Sequence, residues 1–168
     1  MAHPNPLKQF FEDKKLSTLL ENGAKATVMK NTDTVEAAIK VLGNAKILGV
    51  PVVDAKTEEV VGMCDILDIV KFVISVAPDD IQLKADELRS LEISGRAMAW
   101  KELGEVVNSS GRDPYIPVYE ENPFSMVVEI FANGIHRTPL VNKENKVIGM
   151  CSQSSVLALL ADNLHMGE

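Results

Sequence analysis

The chain is 168 residues long, 46% hydrophobic, 24% charged and 5% aromatic, which excludes wholesale disorder and collagen-like structure and suits one compact domain or two small repeats sharing a core. Lys plus Arg is 17 against 24 Asp plus Glu, a net charge of −7 that argues against nucleic-acid backbone or an anionic membrane surface as partner, since both need cationic charge. No apolar run approaches a membrane span, the start Met1-Ala2-His3-Pro4 lacks a signal pattern, and Cys64 and Cys151 stand far from any CxxC or CxxxH spacing; the expectation is a reducing, cytoplasmic setting without a disulfide.

In chain order, Leu7, Phe10, Phe11, Leu16, Leu19 and Leu20 mark a leading helix with a break near Lys14. Residues 27–29 predict a short strand. Asp33-Thr34-Val35-Glu36 predicts a helix start with Asp33 as N-cap, and the stripe Val35, Ala38, Ile39 and Leu42 carries the helix to about Asn44. Residues 49–54 and 60–64 read as strands around a polar turn, and Ile66, Ile69, Val70 and Val73 form the stripe of a second helix. A polar linker over residues 77–99, with a helix at 84–91, separates this first repeat (residues 1–76) from a second (residues 100–168).

The second half repeats these choices. Trp100, Leu103 and Val107 mark its leading helix, and residues 116–119 its short strand. Asn122-Pro123 supplies an N-cap and a proline at the first helical position, before the stripe Phe124, Val127, Val128 and Phe131. Strands at 137–141 and 147–151 flank a turn, and Val156, Leu157 and Leu160 continue the final helix. Val60-Val61-Gly62-Met63-Cys64 matches Val147-Ile148-Gly149-Met150-Cys151 at an offset of 87, and Val50-Pro51-Val52-Val53-Asp54 matches Thr138-Pro139-Leu140-Val141-Asn142 at 88. The helix stripes match at an offset of 89, and Asn44 and Asn133 follow both. The fold class is therefore mixed α/β, two β-α-β-β-α repeats each with a leading helix; about 70 residues bury too little surface for either half to stand alone.

The x-Pro-hydrophobic-hydrophobic-Asp/Asn strand, the Gly-hydrophobic-hydrophobic-polar strand end and the preceding helix stripe together resemble a tandem pair of cystathionine beta-synthase (CBS) domains, a Bateman module, over about residues 7–160. Ile135-His136-Arg137-Thr138-Pro139 and Ser110-Gly111-Arg112-Asp113-Pro114 are similar to segments in the gamma subunit of AMP-activated protein kinase. The resemblance implies repeats related by a pseudo-two-fold axis and a regulatory module for an adenosine ligand such as AMP, ADP or ATP. It also implies a homodimer, or a hetero-complex with a regulated protein such as a kinase, through exposed helix residues such as Phe72, Ile74 and Leu159. S-adenosylmethionine is an alternative ligand, and a ligand-free scaffold an alternative role.

In the family, a nucleotide-binding repeat ends its third strand with Gly-x-x-Ser/Thr-x-x-Asp, the Asp taking the ribose hydroxyls and the Ser/Thr lying near phosphate at a helix N-terminus. The first repeat keeps the acid as Asp68 but has Asp65 in the Ser/Thr place. The second keeps Ser152 but has Ser155 in place of the acid. Each also reads as plain helix capping: Asp65 and Ser152 as N-caps, Asp68 as a first-turn acid. His136 and Arg137 align with Leu48 and Gly49, so only the second repeat has the polar arm that, by the resemblance, reaches phosphate. The plainer readings are an ion pair for Arg137, a structural role for His136, and either a cleft charge or a pair with Asp113 for Arg112. Thr138, Thr27, Met29 and Ile116 complete the candidate ligand contacts.

Cys64, Cys151, Met63 and Met150 read as core. No GxSxG, HExxH, GxxxxGK[ST] or GxGxxG is present, so no enzymatic activity, metal or required cofactor is expected. The two repeats are degenerate in complementary ways, and the resemblance, in which ribose acid and phosphate arm come from neighbouring repeats, implies one composite adenine-nucleotide site with Asp68 on ribose and His136-Arg137 on phosphate.

Overall fold

The computed structural model describes residues 6–21, 23, 25–76 and 98–164. The expected linker helix at 84–91 lies outside them. Two helices lead the chain, α1 (Pro6–Asp13) and α2 (Ser17–Glu21), with the break at residues 14–16 where Lys14 was expected to interrupt them. The first repeat follows as β1 (Met29–Lys30), α3 (Val35–Ala45), β2 (Gly49–Val53), β3 (Val60–Asp65) and α4 (Ile66–Val76). The second has a 3-10 turn at Leu103–Glu105, then β4 (Val118–Tyr119), α5 (Phe124–Ala132), β5 (Arg137–Val141), β6 (Val147–Ser152) and α6 (Gln153–Leu164).

Each repeat builds one three-stranded sheet, ordered β1-β2-β3 and β4-β5-β6. The first pair in each is parallel and the second antiparallel, with the register shifting at Val52/Val53 and again at Leu140/Val141. The short strands start later than expected, at Met29 and Val118, because each pairs with only the last two residues of its neighbour. The turns between the antiparallel strands are also matched, with Glu58 and Asn145 both left-handed at φ 60° and 58°.

Both central helices begin one residue later than the sequence suggests, for the same reason. Asp33 Oδ2 accepts from Lys30 N at 2.7 Å, and Asn122 Oδ1 accepts from Tyr119 N at 2.8 Å. Each side chain bends the chain at the strand exit, and the N-cap falls to the next residue. That residue is Thr34, whose hydroxyl accepts from Ala37 N, and Pro123, which brings no side-chain cap.

Packing regroups the chain into two compact units, Val28–Pro114 and Met1–Thr27 with Tyr115–Glu168. The leading segments account for this. Leu103 and Val106 are fully buried among Val35, Ala38, Leu42, Val50 and Val52 of the first repeat. Leu16 and Leu19 are buried among Val118, Phe124, Val127 and Leu140 of the second. The docking is a backbone pattern used twice. Leu103 N donates to Asp33 O and Val35 N to Lys101 O; Leu16 N donates to Asn122 O and Phe124 N to Lys14 O. Each core is thus completed by the segment that leads the other repeat, which differs from the expected division into 1–76, 77–99 and 100–168. Residues 100–107 contribute a 3-10 turn rather than the expected helix, and Trp100 is 73% exposed, outside the core.

Helix stripes are buried less fully than periodicity implies. In α3, Val35, Ala38 and Leu42 are buried but Ile39 is exposed. In α4 only Ile69 of the expected stripe is buried; Ile66, Val70 and Val73 are exposed, with Leu67 and Ile74. Of the residues expected on a partner-facing surface, Ile74 is exposed, Phe72 is half-buried, and Leu159 is turned into the second core.

Two predictions follow from this packing. Leu16→Ala and Leu103→Ala should each destabilise the protein by about 2–5 kcal/mol, read by urea denaturation, because each empties a fully buried site. The second concerns Asp54, whose carboxylate accepts from Lys56 N, Thr57 N and Asn31 Nδ2. The backbone donors Thr57 and Lys56 hold it below the usual carboxylate range. The stabilisation it supplies is present above the unfolded-state pKa and is lost as pH falls through the lower folded one. Asn142 does the same work without charge, accepting from Glu144 N and Lys146 N. Asp54→Asn should therefore keep the fold and flatten the acid limb of the stability-pH profile.

Candidate functional site

The matched strand ends, β3 into α4 and β6 into α6, place the candidate residues. In the first repeat, Asp65 closes β3 and Asp68 lies in the first turn of α4. They cap the helix reciprocally: Asp65 Oδ1 accepts from Asp68 N at 2.9 Å, and Asp68 Oδ2 accepts from Asp65 N at 2.8 Å. This is a capping box built from two aspartates. Both are buried, at 5% and 3% exposure, where the orphan N–H groups and positive dipole end of α4 favour negative charge. The other oxygen of Asp68, Oδ1, accepts from Ser110 N at 2.6 Å. The carboxylate is thus engaged through both oxygens by backbone donors.

The second repeat builds the same box from hydroxyls. Ser152 N donates to Ser155 Oγ at 3.3 Å and Ser155 N to Ser152 Oγ at 3.2 Å. Ser152 Oγ also lies 2.9 Å from the hydroxyls of Ser154 and Ser155. The backbone frame is held in common: Ile66 N donates to Leu48 O in the first repeat, and Gln153 N to His136 O in the second, both at 3.1 Å. On this shared frame the side chains differ. Leu48 is 58% exposed beside Gly49, whereas His136 and Arg137 are half-buried. Arg137 and Ser152 are register partners across β5 and β6, so their side chains leave the same face of the sheet at the start of α6. One helix start therefore carries two carboxylates, and the other carries serine hydroxyls on a strand end paired with Arg137.

The remaining candidates scatter. Thr138 is fully buried and its hydroxyl donates to Ile116 O, tying β5 to the segment before β4. Met29 is buried in the first core, and Thr27 is exposed. Arg112 is exposed, and its N–H donates to Ser110 Oγ at 3.2 Å. Asp68, Asp65, Met29 and Arg112 belong to one compact unit; His136, Arg137, Thr138, Ser152, Ser155, Thr27 and Ile116 belong to the other.

Sequence reasoning missed the part played by residues 108–110. Asn108 adopts a left-handed conformation at φ 57° and pairs with Met63 twice, accepting from its N–H at 3.1 Å and donating to its carbonyl at 3.0 Å. Asn108 and Val107 occupy the space that a Cβ on Gly62 would fill, which explains the glycine in that strand. The polar run Asn-Ser-Ser-Gly signals a turn, but nothing in it reveals that the turn ends on Asp68.

An apolar cavity of about 610 Å³ lies between α3 and α4, bordered by Ile39, Leu42, Lys46, Leu48, Ile66 and Val70. Among the described residues no group of three or more His, Cys, Asp or Glu could hold a metal ion, and no helix is long and apolar enough to cross a membrane.

With two matched β-α-β-β-α repeats and a helix-start site in each, the molecule has the architecture of a tandem CBS pair. A family profile for the CBS domain matches residues 25–75 and 104–162, and the chain belongs to that family. Protein SDS23 of Kluyveromyces lactis is 31% identical over 62 residues, 36% of this chain; the chain matches only 12% of that protein's length. The CBS domain of a CBS domain-containing membrane protein from Sphaerobacter thermophilus superposes with a TM-score of 0.67 at 20% identity, covering 90% of each chain. The CBS-pair protein CBSX2 of Arabidopsis thaliana, solved in complex with AMP, superposes with a TM-score of 0.61 at 17% identity, covering 88% of this chain and 97% of that one. These likenesses establish the fold.

The cysteines are chemically quiet. Burial, then the negative fields of Asp68 and Asp65, push the Cys64 thiol up to about 12; burial alone does the same for Cys151. Neither should react with iodoacetamide at pH 8 in the folded protein, and both should react once it is unfolded, as read by mass spectrometry. Asp68→Ala should cost about 1–3 kcal/mol by thermal or urea denaturation, because it strands the Asp65 and Ser110 N–H groups.

Proposed function

We propose that the chain is a regulatory module that binds an adenosine-containing ligand of the AMP, ADP or ATP type and passes the signal to another chain. The observation that carries this reading is the β5–β6 register, which sets Arg137 opposite Ser152 at the start of α6. A guanidinium that stays charged, serine hydroxyls and a helix N-terminus together suit a phosphate. His136, tied through its carbonyl to Gln153 N, assists from the adjacent position. In the first repeat Asp68 supplies the carboxylate that would take ribose hydroxyls, and Asp65 disfavours phosphate at that helix start. Membership of the CBS family and the AMP complex of CBSX2 support the ligand class.

The output surface is the exposed apolar side of α4, with Ile66, Val70, Val73 and Ile74, beside the α3–α4 cavity. An apolar patch of this kind suits a second copy of the chain or a regulated protein such as a kinase. The ligand shifts the output only through unequal affinity for two arrangements of the assembly. No catalytic step is assigned to the chain.

A second reading, a ligand-free scaffold, is favoured by one observation: both oxygens of Asp68 already serve backbone donors. Titration calorimetry with AMP and adenosine separates the two. Arg137→Ala should weaken AMP tenfold or more and spare adenosine, because a charge-assisted hydrogen bond contributes roughly 1.5–3 kcal/mol. Asp68→Ala, once shown folded by circular dichroism, should weaken both. AMP binding that ignores Arg137→Ala would overturn the assignment of the phosphate arm. The absence of any dose-dependent rise in melting temperature across adenosine nucleotides and S-adenosylmethionine would favour the scaffold.

A further inference from the structure

We infer that the turn at residues 108–111 is a built-in competitor for Asp68, so that ligand binding at this carboxylate requires the Ser110 N–H to leave it. The inference rests on the reading of Asp68 as the ribose acid. Of the two Asp68 oxygens, Oδ2 belongs to the cap of α4, accepting from Asp65 N. Oδ1 lies outside this cap, and Ser110 N holds it at 2.6 Å. A ribose diol donates its hydroxyls to the same carboxylate oxygens. At 3% exposure Asp68 offers a sugar little open surface while the Ser110 N–H lies against Oδ1.

The turn is pinned to the strand at one end and ends at a glycine at the other, whose N–H donates to Asn108 O at 3.2 Å. Asn108 is pinned by its two hydrogen bonds to Met63 and fills the space left by the missing Cβ of Gly62. Gly111, at φ +68°, has open space where a Cβ would stand and a backbone conformation that glycine adopts without strain. Releasing Ser110 therefore breaks its bond to Asp68 while the Asn108–Met63 pair stays in place. The residues that follow, 112–114, lead the chain out of the first compact unit, which ends at Pro114. A change at Ser110 is thus made next to the point where the two units are joined through the backbone.

The test uses adenosine, which has the ribose but no phosphate, on the full chain. Ser110→Pro deletes the donor N–H, and Ser110→Ala keeps it. Ser110→Pro should bind adenosine at least fivefold more tightly than the wild type by calorimetry, and Ser110→Ala should match the wild type. In the wild type, saturating adenosine should accelerate hydrogen exchange at the Ser110 amide and leave the Asn108 amide protected. This second measurement needs no variant and stands even if Ser110→Pro does not fold. Adenosine binding with Ser110 exchange unchanged or slowed, or equal affinity in a folded Ser110→Pro, would overturn the competitor and leave the adenosine reading intact. Adenosine binding to neither protein would overturn both.

Discussion

Neither repeat encloses its own core, and the rest of the structure depends on how that deficit is met. A three-stranded sheet with two helices leaves one side of its apolar face open. The missing piece is a short segment carrying two large aliphatic side chains, Leu103 and Val106 in one case and Leu16 and Leu19 in the other. Each segment is fixed by the same pair of backbone hydrogen bonds at the entry to the central helix, so it is part of the repeat's architecture. Yet each comes from the stretch of chain that leads the opposite repeat. The two halves are thereby coupled through covalent connectivity: a unit cannot lose its leading segment without opening a core that contains fully buried leucines.

On this common frame the two helix starts have diverged in charge and little else. Both use a reciprocal side-chain cap, both tie the first helical N–H to the carbonyl three positions before the Pro of the neighbouring strand, and both follow a buried cysteine. Replacing carboxylates by hydroxyls leaves this geometry intact, because either group accepts from a backbone N–H. It changes the charge that each helix start carries. Two buried carboxylates favour neutral or donor-rich groups, whereas hydroxyls beside Arg137 favour an anion. Cys64 and Cys151 show the difference from inside the core: burial raises both thiols, and only Cys64 also feels neighbouring aspartates.

Much of this was legible in the sequence because repetition supplies its own control. The offsets of 87 to 89 residues located the strands, the central helices and the polar turns, and the resemblance to CBS pairs gave the fold. What periodicity could not supply was partnership. Leu103 and Leu16 announce themselves as buried, but nothing local says whose core they enter. Trp100 looks like the start of an apolar stripe and is exposed, since the segment turns as a 3-10 helix before a stripe can form. Asp33 and Asn122 look like N-caps and instead bond the strand exit behind them. In α4 the apolar residues outnumber the positions the core accepts, and the excess stands exposed. The candidate site was legible as a set of residue types; the engagement of Asp68 by Ser110 was not, because it joins residues 42 apart through a backbone N–H that every non-proline residue carries.

That last contact shows why structural and functional readings of Asp68 need not compete. A carboxylate at a helix start is stabilised by the dipole and by donated N–H groups whether or not a ligand is present. If Asp68 takes a ligand as proposed, that ligand meets a group already oriented and buried. Under the proposed function the Ser110 N–H stands in for a ligand hydroxyl, while the Asp65 N–H holds the carboxylate in its cap. Asp68 divides its carboxylate between the two, one oxygen in the cap of α4 and the other on a segment next to the junction of the two units.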